Sequence, residues 1–370
     1  MAGCMLRVVR LGLVAAVLGT GMVACSSDPS VPPARTWGTK KQLELGSVDQ
    51  MGPKFRTQHF GPGTDARMAM RASSLDLLEQ ALRSESALLR ANAVEAMQYE
   101  PPAVLTPVVR DGLRDTNRGV RFVAAMVAGR KRLDGALPEL RSARLDSSAS
   151  VRAAALFALH ELGEPVDLSP LGPMMLSSDP EVKGNAALVL GEIGDPSAVP
   201  LLRRGGAVPL ERVEPTRQRI VNLQISEALV RTGEEAEIQT IRAALFSPEE
   251  KRELSILACQ ICGRLDDRAA VNDLLNIASA TQTRGQPAEL QMAATAAVGE
   301  IAPGRAPVEV PLRYTTSAWP ELRAQSAATL GAIADPESFE ALGRLVLDPN
   351  PVVQVAAAGS ILRLTADGSG

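Results

Sequence analysis

The sequence predicts an all-α solenoid of about nine stacked helical hairpins over residues 65–370, and three observations carry that reading. A helical brick recurs at a fixed spacing, and one column through the bricks is nearly all alanine. Hydrophobic residues reach 45% of the chain with only 3% aromatics. A core so poor in rings has to be built from Ala, Leu, Val and Ile, which suits helices packed at close range. In a chain of 370 residues this favours one elongated array that adds surface as it grows over two or three compact domains.

The N-terminus is set apart from the array. Arg7 and Arg10 precede an uncharged apolar run, Leu11 to Val23, too short to span a bilayer comfortably, so residues 1–24 read as a leader. The run ends in "MVAC" at Cys25, which resembles the bacterial lipoprotein signal, with Met22 where leucine is usual. The resemblance implies lipidation of Cys25 and a membrane anchor made of acyl chains. Ser26 after the cysteine resembles the outer-membrane sorting pattern. Residues 25–64 begin with the Ser/Pro-rich "SSDPSVPPAR", a tether, and continue without helical or strand periodicity.

The bricks are in register. Arg90, Arg121, Arg152 and Lys183 lie 31 residues apart, and the series continues through Asn222, Ser255, Gln291, Arg323 and Gln354. One place before each reference residue stands an aliphatic side chain, from Leu89 to Val353. Three places after it, seven of nine residues are alanine, and seven places after it all nine are apolar. These offsets are successive i, i+4 steps, so the residues form one stripe of an α-helix. Ser86, Asn117, Ser148, Asp179 and Asn350 stand where N-caps belong, with Pro180, Pro320 and Pro351 in the next position. Five bricks carry glycine eight places after the reference, where it eases close packing or helix termination. A shorter apolar segment between successive stripes, such as "AVLTPVVRDGL" (103–113), supplies the other helix of each hairpin. A hairpin cannot hide its apolar face alone, whereas stacking hides it.

"DPEVKGNAALVLGEIGDPSAVPLL" (179–202) and "WPELRAQSAATLGAIADPESFEALGRL" (319–345) resemble HEAT repeats of the short type found in phycobilisome lyases. The resemblance implies a ladder of aspartates in the hairpin turns with a basic residue six places later. Asp115 with Arg121 and Asp146 with Arg152 match it; Ser84 with Arg90 and Asp348 with Gln354 match half.

Composition and motifs leave little room for chemistry. A net charge of −3, or −5 once the leader takes 39 basic residues down to 37, gives no footprint for nucleic acid. His160 and Glu161 look like the His-Glu pairs of deoxyhypusine hydroxylase, a HEAT-like di-iron enzyme. A metal needs several ligands at once, and the only other histidine, His59, has no acid after it. Cys259 and Cys262 have CxxC spacing but fall mid-helix with no second pair, which reads as two small core residues or a disulfide. No metal, cofactor or catalytic residue is expected.

The expected function is a lipid-anchored, extracytoplasmic scaffold that binds a protein client; the alternatives are a structural or wall-binding envelope protein and a HEAT-like lyase or hydroxylase. The candidate partner-binding residues lie at the hairpin turns. Arg203, Arg204 and Arg212 belong to one insertion (203–219), Arg284 to another (279–287), and Arg313, Tyr314 and Trp319 to "RYTTSAWP". Arginine and aromatic side chains are the usual anchors of protein interfaces.

Overall fold

The computed structural model describes residues 64–279 and 287–366. Over these residues the chain forms eighteen α-helices and no strand. The first three hairpins pair α1 (Thr64–Leu82) with α2 (Ala87–Ala96), α3 (Pro102–Leu113) with α4 (Arg118–Arg130), and α5 (Leu137–Ala143) with α6 (Ala149–Glu161). The next three pair α7 (Leu171–Met175) with α8 (Pro180–Ile193), α9 (Val199–Ala207) with α10 (Pro215–Arg231), and α11 (Ile238–Ala244) with α12 (Arg252–Arg264). The last three pair α13 (Val271–Ala278) with α14 (Ala288–Ile301), α15 (Glu309–Tyr314) with α16 (Pro320–Ile333), and α17 (Pro336–Leu345) with α18 (Pro351–Ala366).

The second helix of each hairpin is the repeating brick. Three of the five expected caps form: Asn117 Oδ1 accepts from Gly119 N at 2.8 Å, Asp179 Oδ1 from Glu181 N at 2.8 Å and Asn350 Oδ1 from Val352 N at 2.9 Å, whereas Ser86 and Ser148 hold the N-cap position without a side-chain cap bond. The seven column alanines, among them Ala93, Ala186 and Ala357, have no exposed surface. The column glycines act in packing. A Cβ on Gly129 would stand 2.6 Å from the Phe157 ring and 2.8 Å from Ala158 Cα, and one on Gly191 2.8 Å from Ala228 Cα. Successive second helices therefore approach closer than any side chain at this register allows.

Each second helix packs on the second helix of the next hairpin, and α18 packs back on α1 and α2. The array is thus a closed ring of nine hairpins, which corrects the expectation of an open, elongated stack. Gly359 on α18 makes the seam: a Cβ there would lie 2.9 Å from Ala96 Cβ on α2. Arg71 of α1 rivets it, donating to Thr365 Oγ1 at 2.8 Å and to Glu100 Oε1 at 2.6 Å. The physical reason is that an open solenoid leaves an apolar face at each end, and here the two ends cover one another.

The expected ladder is present, with its pairs set between hairpins. Arg90 donates from Nε and Nη2 to Asp115 at 2.7 and 2.8 Å, Arg121 to Asp146 at 2.7 and 2.9 Å, and Arg323 to Asp348 at 2.6 and 2.8 Å. The same arginines give Nη1 to the turn carbonyl six places back, as Arg121 does to Asp115 O at 2.9 Å. Burial works to raise the Asp115 and Asp146 carboxyls, yet the bonds from Arg90 and Arg121 hold both below the usual range. At the fourth hairpin Lys183 replaces arginine; fully buried, it donates to Val208 O at 2.8 Å and Gly205 O at 3.3 Å.

Candidate binding surfaces

All turns from first to second helices lie along one edge of the ring. Six large apolar side chains are exposed in or beside those turns: Leu88, Leu145, Val208, Phe246, Trp319 and Leu347. Leu145 is 78% exposed, Phe246 64% and Trp319 59%. Met68 and Val104, the other exposed large hydrophobics among the described residues, stand near the starts of first helices, on the opposite edge. Arginine accompanies the apolar tips. Arg83, Arg114, Arg144, Arg204, Arg313 and Arg344 are exposed at or beside the ends of first helices, where a cation also complements the helix dipole.

The sequence-predicted residues fall unevenly on this rim. Trp319 caps α16 with its ring in solvent, and Arg204 and Arg313 are exposed on the last turns of α9 and α15. Arg212 sits in the 208–214 loop with φ 57°, a left-handed turn residue. Arg203, exposed, pairs with Glu234 at the start of the next hairpin, and half-buried Tyr314 donates its hydroxyl to Gln291 Oε1 at 3.2 Å. Arg284 and Cys25 lie outside the described residues. The 203–219 insertion is shorter as a loop than its sequence suggests, because α9 runs to Ala207 and α10 begins at Pro215, with Glu214 accepting from Arg217 N.

A second concave feature has no counterpart in the sequence reading. Second helices α2, α12, α14, α16 and α18 enclose a cavity of about 180 Å³ toward their C-terminal ends, on the edge opposite the rim. Its floor is small: Ala296 and Ala328 line it with Gly359, all five places after their reference residues. The same register in α4 and α6 holds Met126 and Phe157, both buried. That column is the signal that could have located the cavity, and it emerges only when helices are compared around a closed ring.

The cavity wall carries four carboxamides and a charged lip. Asn92, 6% exposed, makes no side-chain hydrogen bond among the described residues, nor do Gln98 and Gln260. Gln325 donates Nε2 to Glu289 O at 2.8 Å, while its buried Oε1 has no partner among the described residues. Nine places after their references stand Tyr99, Arg264, Glu300 and Arg363. Arg264 is committed, donating to Glu227 Oε1 at 2.9 Å and Oε2 at 2.7 Å. Burial acts to raise the Glu227 carboxyl, but Arg264 and Arg231 keep it below the usual range. Glu300 is raised by burial, against the opposing pull of Arg363, 3.9 Å away, and of Arg264.

The motif residues read as chemistry are placed apart from this cavity's lip. His160 is exposed and Glu161 pairs with Arg132 at 3.2 Å. Cys259 and Cys262 are free and buried, and burial pushes both thiols up, Cys262 to about 12. No group of three or more metal-ligating side chains occurs among the described residues, and none of their helices is long and apolar enough to cross a membrane.

The repeat geometry agrees with sequence comparison. A model of HEAT repeats matches residues 74–160 and 137–213. Residues 74–213 carry HEAT repeats. Among solved structures, human deoxyhypusine hydroxylase in complex with glycerol is similar at 18% identity over 71% of this chain and 96% of that one, with TM-score 0.36. A Kap121p mutant is similar at 13% identity over 81% of this chain and 39% of that one, with TM-score 0.31. An engineered protein is similar at 18% identity, covering 79% and 96%, with TM-score 0.21. No curated protein matches the chain.

Proposed function

We propose that this HEAT ring is a lipid-anchored, extracytoplasmic protein that holds a protein client on its turn-bearing rim and performs no chemistry. The observation that carries this reading is the gathering of six exposed apolar tips on one edge, which also carries exposed arginines at the ends of first helices. An exposed aromatic beside a guanidinium is what a partner's hot spot meets, and such side chains stay in solvent only at a cost that association recovers. Arg204, Arg212, Arg313 and Trp319 belong to this surface, with Phe246 and Leu347 added by the fold; Arg203 and Tyr314 flank it. Lipidation of Cys25 would fix the ring's position while residues 26–63 supply reach. The 31-residue spacing supports repeats of the phycobilisome-lyase type.

A photo-crosslinking residue placed at Phe246 or Trp319 in intact cells is expected to capture protein, and the same residue at Met68, on the other edge, is not. Trp319→Ala with Phe246→Ala should lower capture from neighbouring Leu347 at least tenfold. Capture of lipid alone from the rim, or equal capture from Met68, would remove the client reading. The mass of the mature N-terminus reports the acyl groups on Cys25.

A further inference from the structure

We propose that the central cavity is a binding site for a small zwitterion, an α-amino acid or a short unblocked peptide, held between Glu300 and Arg363.

The two charged groups face the cavity unclosed. Their nearest atoms are 3.9 Å apart, whereas the Arg264–Glu227, Arg323–Asp348 and Arg121–Asp146 pairs close to 2.6–2.7 Å. An open pair of opposite charges gains most from a ligand that brings a carboxylate to the guanidinium and an ammonium to the carboxylate, since both bonds are then charge-assisted. A simple ion would serve one partner and repel the other. The wall beyond the pair is close to neutral, its other charged residues being Glu95 and Arg264. A multiply charged anion such as phosphate therefore has no reason to enter.

The carboxamides indicate what lies between the charges. A buried amide without a partner is costly, and native structures satisfy such groups with protein, water or ligand. The Gln325 oxygen is such a group, and Asn92, Gln98 and Gln260 line the same cavity. A carboxamide offers a donor and an acceptor side by side, which matches a peptide unit as well as the head of an amino acid. The floor of Ala296, Ala328 and Gly359 leaves apolar width for a small aliphatic side chain. At about 180 Å³ the space is far larger than the ~10–15 Å³ one water needs.

The test is calorimetry on the mature chain with three probes: L-alanine, trialanine, and trialanine blocked by N-acetyl and C-amide groups. Binding of alanine or of trialanine is expected, the tighter probe telling free amino acid from peptide, with the blocked peptide at least tenfold weaker. Glu300→Gln and Arg363→Gln should each weaken the bound zwitterion tenfold or more, and Ala328→Leu should abolish binding with the unfolding midpoint little changed. No heat from any probe at millimolar concentration, or equal binding of blocked and free trialanine by the wild-type chain, overturns the proposal without needing a variant. The rim lies on the other edge, so Trp319→Ala should leave zwitterion binding untouched. The two readings therefore fail independently.

Discussion

The ring has a filled side and a hollow side, built from the same repeat. In α4 and α6 the inner register carries Met126 and Phe157, both buried. In α14, α16 and α18 the same register carries Ala296, Ala328 and Gly359, and the cavity opens there. The backbone spacing is equally tight on both sides, because column glycines such as Gly129 and Gly299 meet the following helix on each. Side-chain volume at one position per repeat thus decides whether a hairpin contributes core or binding surface.

That contrast can be broken most severely on the filled side. Phe157→Ala removes a buried ring that packs on Gly129, with no side chain positioned to replace it, and should cost about 3–5 kcal/mol. Denaturant unfolding checks this; a loss below about 1 kcal/mol would mean the inner register is not packed as described.

Acid sharpens the comparison next. Asp115 and Asp146, on the filled side, have carboxyls held below their ordinary range, so the stability they supply is present above about pH 4 and is lost as pH falls further. Glu300, on the hollow side, is raised, so uptake of its proton as pH falls favours the folded ring. Asp146→Asn should therefore cost about 1.5–3 kcal/mol at pH 7 and far less near pH 2.5, while Glu300→Gln should cost nothing at either pH. Unfolding curves at the two pH values separate these outcomes; a pH-independent loss for Asp146→Asn would break the assignment.

The smallest effect is expected from filling the hollow side. Ala328→Leu extends into open space, so its stability should change by less than about 1 kcal/mol, against the usual 1–3 kcal/mol for enlarging a packed core residue. A larger loss by thermal unfolding would mean the cavity is not there to receive the side chain.

The helices, their caps and the stripe that buries them were legible in the sequence because each depends on residues three or four apart in one brick. Half of the ladder was legible too, though its pairs are 25 residues apart, Arg90 with Asp115 and Arg323 with Asp348, and were read six apart. The rim was foreseen as an edge and as Trp319, while Phe246 and Leu347 escaped notice because single apolar residues in a turn have no period.

By itself the sequence determined the repeat, the contact residues between neighbours and the near absence of chemistry-bearing motifs. Only the tertiary structure decided that the ninth hairpin meets the first, since closure depends on small rotations summed over all nine junctions and on Gly359 at the seam. The cavity follows from closure: Asn92 and Gln325 are 233 positions apart and share a wall only because the ring brings its ends together.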